Sequence, residues 1–166
     1  TFECDTIPFQ NKAISIKVFG LAGGHSGADI DKNRLSANRV MGLVLEMLYD
    51  KMPFNLISVN GGSKRNAIAR ECEAILSVFD AEAAKEEIKK IGATVSRDMI
   101  SSVDRGFRIH VNKAHACDTM MTFAQSASVI DGMFISPHGI VAMSSEKEGM
   151  VEASTNLGAV SYTHLT

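Results

Sequence analysis

The sequence predicts an α+β fold of the ferredoxin-like kind, a mainly antiparallel sheet with its helices on one face. Three observations carry the prediction. Apolar residues alternate with polar ones at 14–18, 67–79 and 107–111, the period of a half-buried strand, and 54–59 reads as a further strand. Segments with apolar residues every three or four positions stand between several of these strands. The resulting order is β-α-β-β-α, followed by β-α-β-β, and that order alone suggests a duplicated βαββ unit.

Each element has its own local signal. Ile14, Ile16 and Val18 alternate with Ser15 and Lys17, and a glycine-rich turn follows. Ala37, Val40, Leu43, Val44, Met47 and Leu48 share one helical face, which predicts a helix over residues 32–49. Pro53 stands just past its end, where a helix cannot continue. The strand at 54–59 closes on Asn60-Gly61-Gly62, a strong turn signal. Residues 67–79 read as one long strand, and Asp80 is placed to cap the Ala-, Glu- and Lys-rich helix after it. Ala84, Ile88 and Ile91 form the buried stripe of that helix. Residues 92–105 are helical by composition but weakly periodic, which leaves their state open. Phe107, Ile109 and Val111 then alternate with Arg108 and His110. Met120, Phe123, Ala124, Ala127 and Ile130 mark a third helix. Turn signals at Asp131-Gly132 and Ser136-Pro137-His138-Gly139 lead to strands at 140–143 and 151–157.

Composition narrows the function classes. With 166 residues, 45% hydrophobic and 22% charged, the chain has room for one domain with a real core. A net charge of -2 gives no basic footprint for nucleic acid or for a membrane surface. No apolar run approaches the roughly 20 residues that a bilayer-spanning helix needs, and no signal-peptide pattern is present. Cys4, Cys72 and Cys117 are odd in number, widely spaced and without a CxxC pair, so they read as reduced intracellular thiols. Thr1 is not an initiator Met, and Val160-Ser161-Tyr162-Thr163-His164-Leu165-Thr166 resembles a translated sequencing adapter. The expectation is a fragment of a longer reading frame with residues 160–166 as a non-native tail, which sets His164 aside.

The chemistry concentrates at Gly23-Gly24-His25-Ser26-Gly27-Ala28-Asp29-Ile30. Glycine neighbours allow a close approach of backbone or ligand, and histidine changes most readily between acid, base and neutral donor near pH 7. The structural alternative is a histidine that caps the helix or bonds the backbone of its own turn. A second element is Asn60-Gly61-Gly62-Ser63-Lys64-Arg65-Asn66-Ala67-Ile68-Ala69-Arg70-Glu71. The amide of Asn66 carries donors and an acceptor suited to a polar backbone; its alternative is a turn asparagine in the left-handed region. Arg65 and Arg70 suit a carboxylate or plain solvation. His110, His115 and His138 have no partner at metal-ligand spacing. The glycines at 20–27 fit neither the GxxxxGK[ST] nor the GxGxxG phosphate-binding pattern. No Gly-x-Ser-x-Gly elbow or Cys–His signature is present.

Those two elements, with Arg34-Leu35-Ser36-Ala37-Asn38, closely resemble the aminoacyl-histidine dipeptidases, cytosolic non-specific dipeptidases of the dizinc M20 peptidase group. The runs Ser136-Pro137-His138-Gly139-Ile140-Val141-Ala142-Met143-Ser144 and Val151-Glu152-Ala153-Ser154-Thr155-Asn156-Leu157-Gly158 extend the resemblance over residues 10–159. The resemblance implies that residues 1–9 end a catalytic-domain segment and that 10–159 are most of an inserted lid and dimerisation domain. It implies a cytoplasmic homodimeric parent that hydrolyses unblocked dipeptides, Xaa-His among them, with two zinc ions. The metal ligands lie outside the inserted domain, so the fragment alone is expected to hold no metal and to be inactive. His25 is implied as an oxyanion or substrate donor and Asn66 as a substrate contact, while Asp29, Arg34 and Asn38 are expected to buttress the His25 turn or the dimer contact. The family usually carries Pro where Ala69 stands, so the turn here is less constrained. The competing reading is a non-catalytic ferredoxin-like module for dimerisation or small-molecule binding.

Overall fold

The computed structural model describes residues 5–162 apart from 10 and 116. Cys4, His164 and the outermost parts of the two expected flanking segments lie outside the described residues. Along the chain the strands are β1 (Thr6–Pro8), β2 (Lys12–Phe19), β3 (Gly24–His25), β4 (Phe54–Gly61), β5 (Ala67–Ile68), β6 (Cys72–Val78), β7 (Arg108–Lys113), β8 (Thr119–Met121), β9 (Gly139–Met143), β10 (Val151–Thr155) and β11 (Val160–Tyr162). The helices are α1 (Ala37–Tyr49), α2 (Ala81–Met99) and α3 (Phe123–Ile135), with 3-10 turns at Ile30–Lys32 and Ser102–Asp104.

The main sheet runs β11-β4-β6-β2-β7, with every neighbour antiparallel. α1 leads from β2 to β4 around the intervening β6, and α2 leads from β6 to β7 around β2. Two such split crossovers define the ferredoxin-like arrangement, as the sequence predicts. Smaller antiparallel ladders join β1 to β8, β9 to β10 and β3 to β5. Among the described residues, no helix is long and apolar enough to cross a membrane.

Ile14, Ile16 and Val18 of β2, Leu56 and Val59 of β4, and Ala74, Leu76 and Val78 of β6 are all buried. They meet Ala84, Ile88, Ile91 and Val95 of α2, and Val40, Met41, Val44, Leu45 and Leu48 of α1. Asp80 caps α2 as expected, its Oδ1 accepting from Glu82 N at 3.0 Å and Ala83 N at 3.1 Å. The ambiguous stretch from residue 92 continues α2 to Met99, because Gly92 lies against Ile109 of β7.

Several boundaries differ from the sequence pattern: β4 runs on through Asn60 to Gly61, β10 stops at Thr155 rather than 157, and the larger differences lie elsewhere. α1 begins at Ala37 rather than 32, because Asn33 adopts φ 51° and Ala37 N donates to Ala69 O at 2.9 Å. Met41 and Leu45 are fully buried while Leu43 and Met47 are half-buried. α3 also packs on α1, and a Cβ on Gly42 would fall 2.9 Å from the Met133 backbone. The stretch 67–79 divides into β5 and β6, since the Ala69 and Glu71 carbonyls bond Ala37 N and Gly62 N instead of a ladder. α3 begins only after Met120 and Met121 have paired with β1, then runs through the Asp131-Gly132 turn signal to Ile135. Residues 160–162 pair along β4; an open strand edge accepts any extended backbone, so this pairing says nothing of their origin.

Ser126 holds the outer side of β4 where its register slips between Leu56 and Ser58. The fully buried hydroxyl accepts from Leu56 N at 2.9 Å and donates to Thr122 O at 2.9 Å. Ser126→Ala leaves a buried N–H unmet and should lower unfolding stability by about 1–3 kcal/mol in urea titration. Ser128→Ala, at an exposed site on the same helix, should stay within about 0.5 kcal/mol; equal losses would show that the Leu56 N–H does not depend on Ser126.

Candidate functional site

β2 ends at Phe19, and the loop that follows carries His25 before α1 starts. Its two ends are tied by Asp104, whose side chain is fully buried. Oδ1 accepts from Ala22 N at 2.9 Å and Oδ2 accepts from Leu35 N at 2.9 Å. A buried carboxylate needs such donors. Inside the loop, Asp29 Oδ2 accepts from His25 N at 2.8 Å and Asp29 Oδ1 accepts from Lys32 Nζ at 2.5 Å. Arg34 Nη1 donates to Gly23 O at 2.6 Å and stands 3.4 Å from Asp29 Oδ2. Gly24 has φ +146°, and a Cβ there would fall 2.3 Å from Arg34 Nη1. Only glycine lets the Asp29–Arg34 pair close over this backbone.

The short β3–β5 ladder joins the two candidate residues. His25 pairs with Ala67, and one step along, Ser26 N donates to Asn66 O at 3.0 Å. Both side chains are exposed. His25 Nδ1 accepts from Gly27 N at 3.1 Å and Ala28 N at 3.2 Å. The histidine therefore does bond its own turn, and that bond selects the tautomer. A nitrogen that accepts N–H groups carries no proton, so the neutral ring holds its hydrogen on Nε2. No hydrogen bond among the described residues engages Nε2. Asn66 is not among the non-glycine residues with positive φ, so the left-handed turn reading does not apply to it.

The expected supports divide. Asp29 and Arg34 brace the His25 turn. Asn38 does not; its fully buried amide donates to Leu157 O at 2.9 Å and to Gly61 O at 3.4 Å, tying α1 to β4. Arg65 and Arg70 are exposed, and the Arg70 side chain lies over Gly23. Two residues that the sequence pattern does not single out prove important. One is Asp104. The other is Asn156, whose Nδ2 donates to Arg65 O at 3.1 Å and Ala67 O at 2.9 Å. Asn156 sits inside a motif that carries the family resemblance, and that was its one signal.

The remaining histidines are dispersed. His110 meets the Phe19 ring edge-on at 4.7 Å, and His115 is exposed. His138 Nε2 lies 3.3 Å from Arg34 O, and burial holds the imidazole below its usual range. Burial pushes the Cys72 thiol up to about 12, while Cys117 is exposed. No three His, Cys, Asp or Glu side chains among the described residues come together as a metal-binding set. A cleft of about 860 Å³ opens beside β5, walled in part by Lys17, Gly24, Gly62, Ala67, Arg70 and Glu73.

Comparison with known proteins locates this architecture. Residues 16–99 match the family model of the M20 peptidase dimerisation domain. The chain is 26% identical over 161 residues to the cytosol non-specific dipeptidase of Escherichia coli K12, covering 96% of this chain and 33% of that protein. The crystal structure of aminoacylhistidine dipeptidase from Vibrio alginolyticus superposes with a TM-score of 0.87 at 26% identity, again covering 96% of this chain and 33% of that one. The chain thus spans about a third of the length of these relatives.

The Lys32 ammonium first, and then the His25 backbone N–H, hold the Asp29 carboxyl down to about 2. A depressed carboxyl favours the folded loop above the ordinary value of 3.8, and this preference is lost as pH falls toward 2. The His25 backbone amide, followed by NMR from pH 5 downward, should shift with a midpoint near 2. A midpoint at 3.8 would mean that the carboxylate does not hold the turn.

Proposed function

The chain belongs to the M20 peptidase dimerisation domain family, and from that premise we propose that it is the lid and dimer-forming portion of a cytoplasmic dipeptidase acting on unblocked dipeptides, Xaa-His among them. The observation that carries the reading is that His25 Nδ1 is bonded by its own turn, on a strand paired beside Asn66. Peptide hydrolysis places negative charge on the oxygen of the scissile carbonyl, and a donor fixed in advance stabilises that charge without reorganising. His25 supplies Nε2–H for this purpose because its Nδ1 is occupied by Gly27 N and Ala28 N. Asn66 supplies an amide to the polar backbone of the dipeptide. The two zinc ions of the proposed enzyme would activate the attacking water. The described residues bring no donor set together for them.

The homodimer contact is assigned to the open edge of the main sheet at β7. Ala114 N donates to Ala13 O, which fixes the alternation along the β2–β7 pair. The N–H groups of Ile109, Val111 and Lys113 therefore point away from β2. A groove of about 550 Å³ lies between this strand and α2. A second copy that adds its own β7 antiparallel would continue the sheet across a two-fold axis.

Two measurements test these assignments. In the full-length enzyme that carries this segment, His25→Ala should lower kcat by about 10²–10³-fold with zinc content unchanged; an unaltered kcat removes the oxyanion role. Val111→Pro deletes one outward N–H and should convert the dimer to monomer in sedimentation, with the circular dichroism of the fold retained. A persisting dimer would place the contact on another surface.

A further inference from the structure

We propose that Asn156 is a positioning residue for substrate recognition, acting through Asn66; the proposal rests on the reading of Asn66 as a substrate contact. The turn that presents Asn66 is exposed from Gly62 to Asn66. Its own turn bond, Ala67 N to Lys64 O, is 3.2 Å long. Such a turn does not by itself hold a polar side chain in one place. Asn156 supplies what the turn lacks. Its two amide hydrogens go to the carbonyls of Arg65 and Ala67, the residues on either side of Asn66. The Asn66 carbonyl between them accepts from Ser26 N in the His25 turn. Three consecutive carbonyls are thus held, two by Asn156 and one by the other half of the site.

Asn156 is itself anchored. The next carbonyl, Leu157 O, accepts from Asn38 Nδ2 at 2.9 Å and Ser36 Oγ at 3.4 Å, which fastens the segment to the start of α1. Gly158 O lies so close to Gly62 that a Cβ there would come within 1.9 Å of it. On the other side Asn156 Oδ1 is buried, with His138 beside it. The orientation of the amide is chemically determined, because carbonyl oxygens only accept and the NH₂ group must face them. Aspartate has nearly the same shape but would set one carboxylate oxygen against both carbonyls. The side-chain type, and not only its volume, is therefore what the position requires.

The test uses the full-length enzyme that carries this segment, with alanyl-histidine as substrate, and compares Asn66→Ala, Asn156→Asp and the double variant. Asn156→Asp should raise KM about tenfold, toward the Asn66→Ala value, while kcat changes by less than about threefold. In the Asn66→Ala background it should raise KM no further, the non-additivity expected of residues acting as one unit. A raised KM in Asn66→Ala with a normal KM in Asn156→Asp overturns the positioning role and keeps the Asn66 reading. A normal KM in Asn66→Ala overturns both. A measurement on the unmutated 166-residue chain guards against a variant that does not fold. The Asn156 side-chain amide protons should exchange slowly and show NMR couplings across hydrogen bonds to the Arg65 and Ala67 carbonyls. Fast exchange at the rate of a free asparagine would overturn the proposal.

Discussion

Asp104 receives the N–H groups of Ala22 and Leu35 on its two carboxylate oxygens with its side chain fully buried. The loop between those residues can then leave the sheet, carry His25 outward and return to start α1 in a fixed place. Each buried donor or acceptor left unmet costs about 1–3 kcal/mol, so the tie constrains both the 3-10 turn that supplies Asp104 and the loop that it closes. With the loop base fixed, Gly24 and His25 reach β5, and the ladder to Ala67 and Ile68 follows.

The candidate site is built mostly from backbone hydrogen bonds that side chains terminate. Asp29 accepts from His25 N, Arg34 donates to Gly23 O, and Asn156 donates on both sides of Asn66. The imidazole and the amide stay exposed, while their backbones are held from several directions. Such an arrangement suits a group lent to a reaction, because catalytic donors act best when they are oriented before the charge develops. The surface ion pairs add little to it. Lys17 and Glu71 pair at 2.9 Å with side chains largely open to solvent, where water and salt screen the attraction.

Much of this was legible in the chain. Alternation marked β2 and β7, Asp80 marked the start of α2, and the glycines around His25 and before Asn66 marked the turns that matter. The departures share one cause: local pattern carries no information about a partner distant in sequence. The start of α1 depends on Ala69 O, the division of 67–79 depends on Ala37 and Gly62, and the α1 stripe depends on α3 crossing at Gly42. Neither Asp104 nor Asn156 has a periodic signature, since each is defined by backbone groups more than 60 residues away.

By itself the sequence determined the fold class, the order of the main strands and helices, and the identity of His25 and Asn66 as the residues to watch. The fold class and element order follow from periodicity, capping and glycine placement, which act over a few neighbouring residues; His25 is marked by its glycine turn, and Asn66 by the motifs that carry the family resemblance. Tertiary structure decided that His25 and Asn66 stand on paired strands, which ring nitrogen of His25 keeps its proton, and what holds each turn still. Those properties depend on hydrogen bonds between segments that only the packed sheet and helices bring within reach.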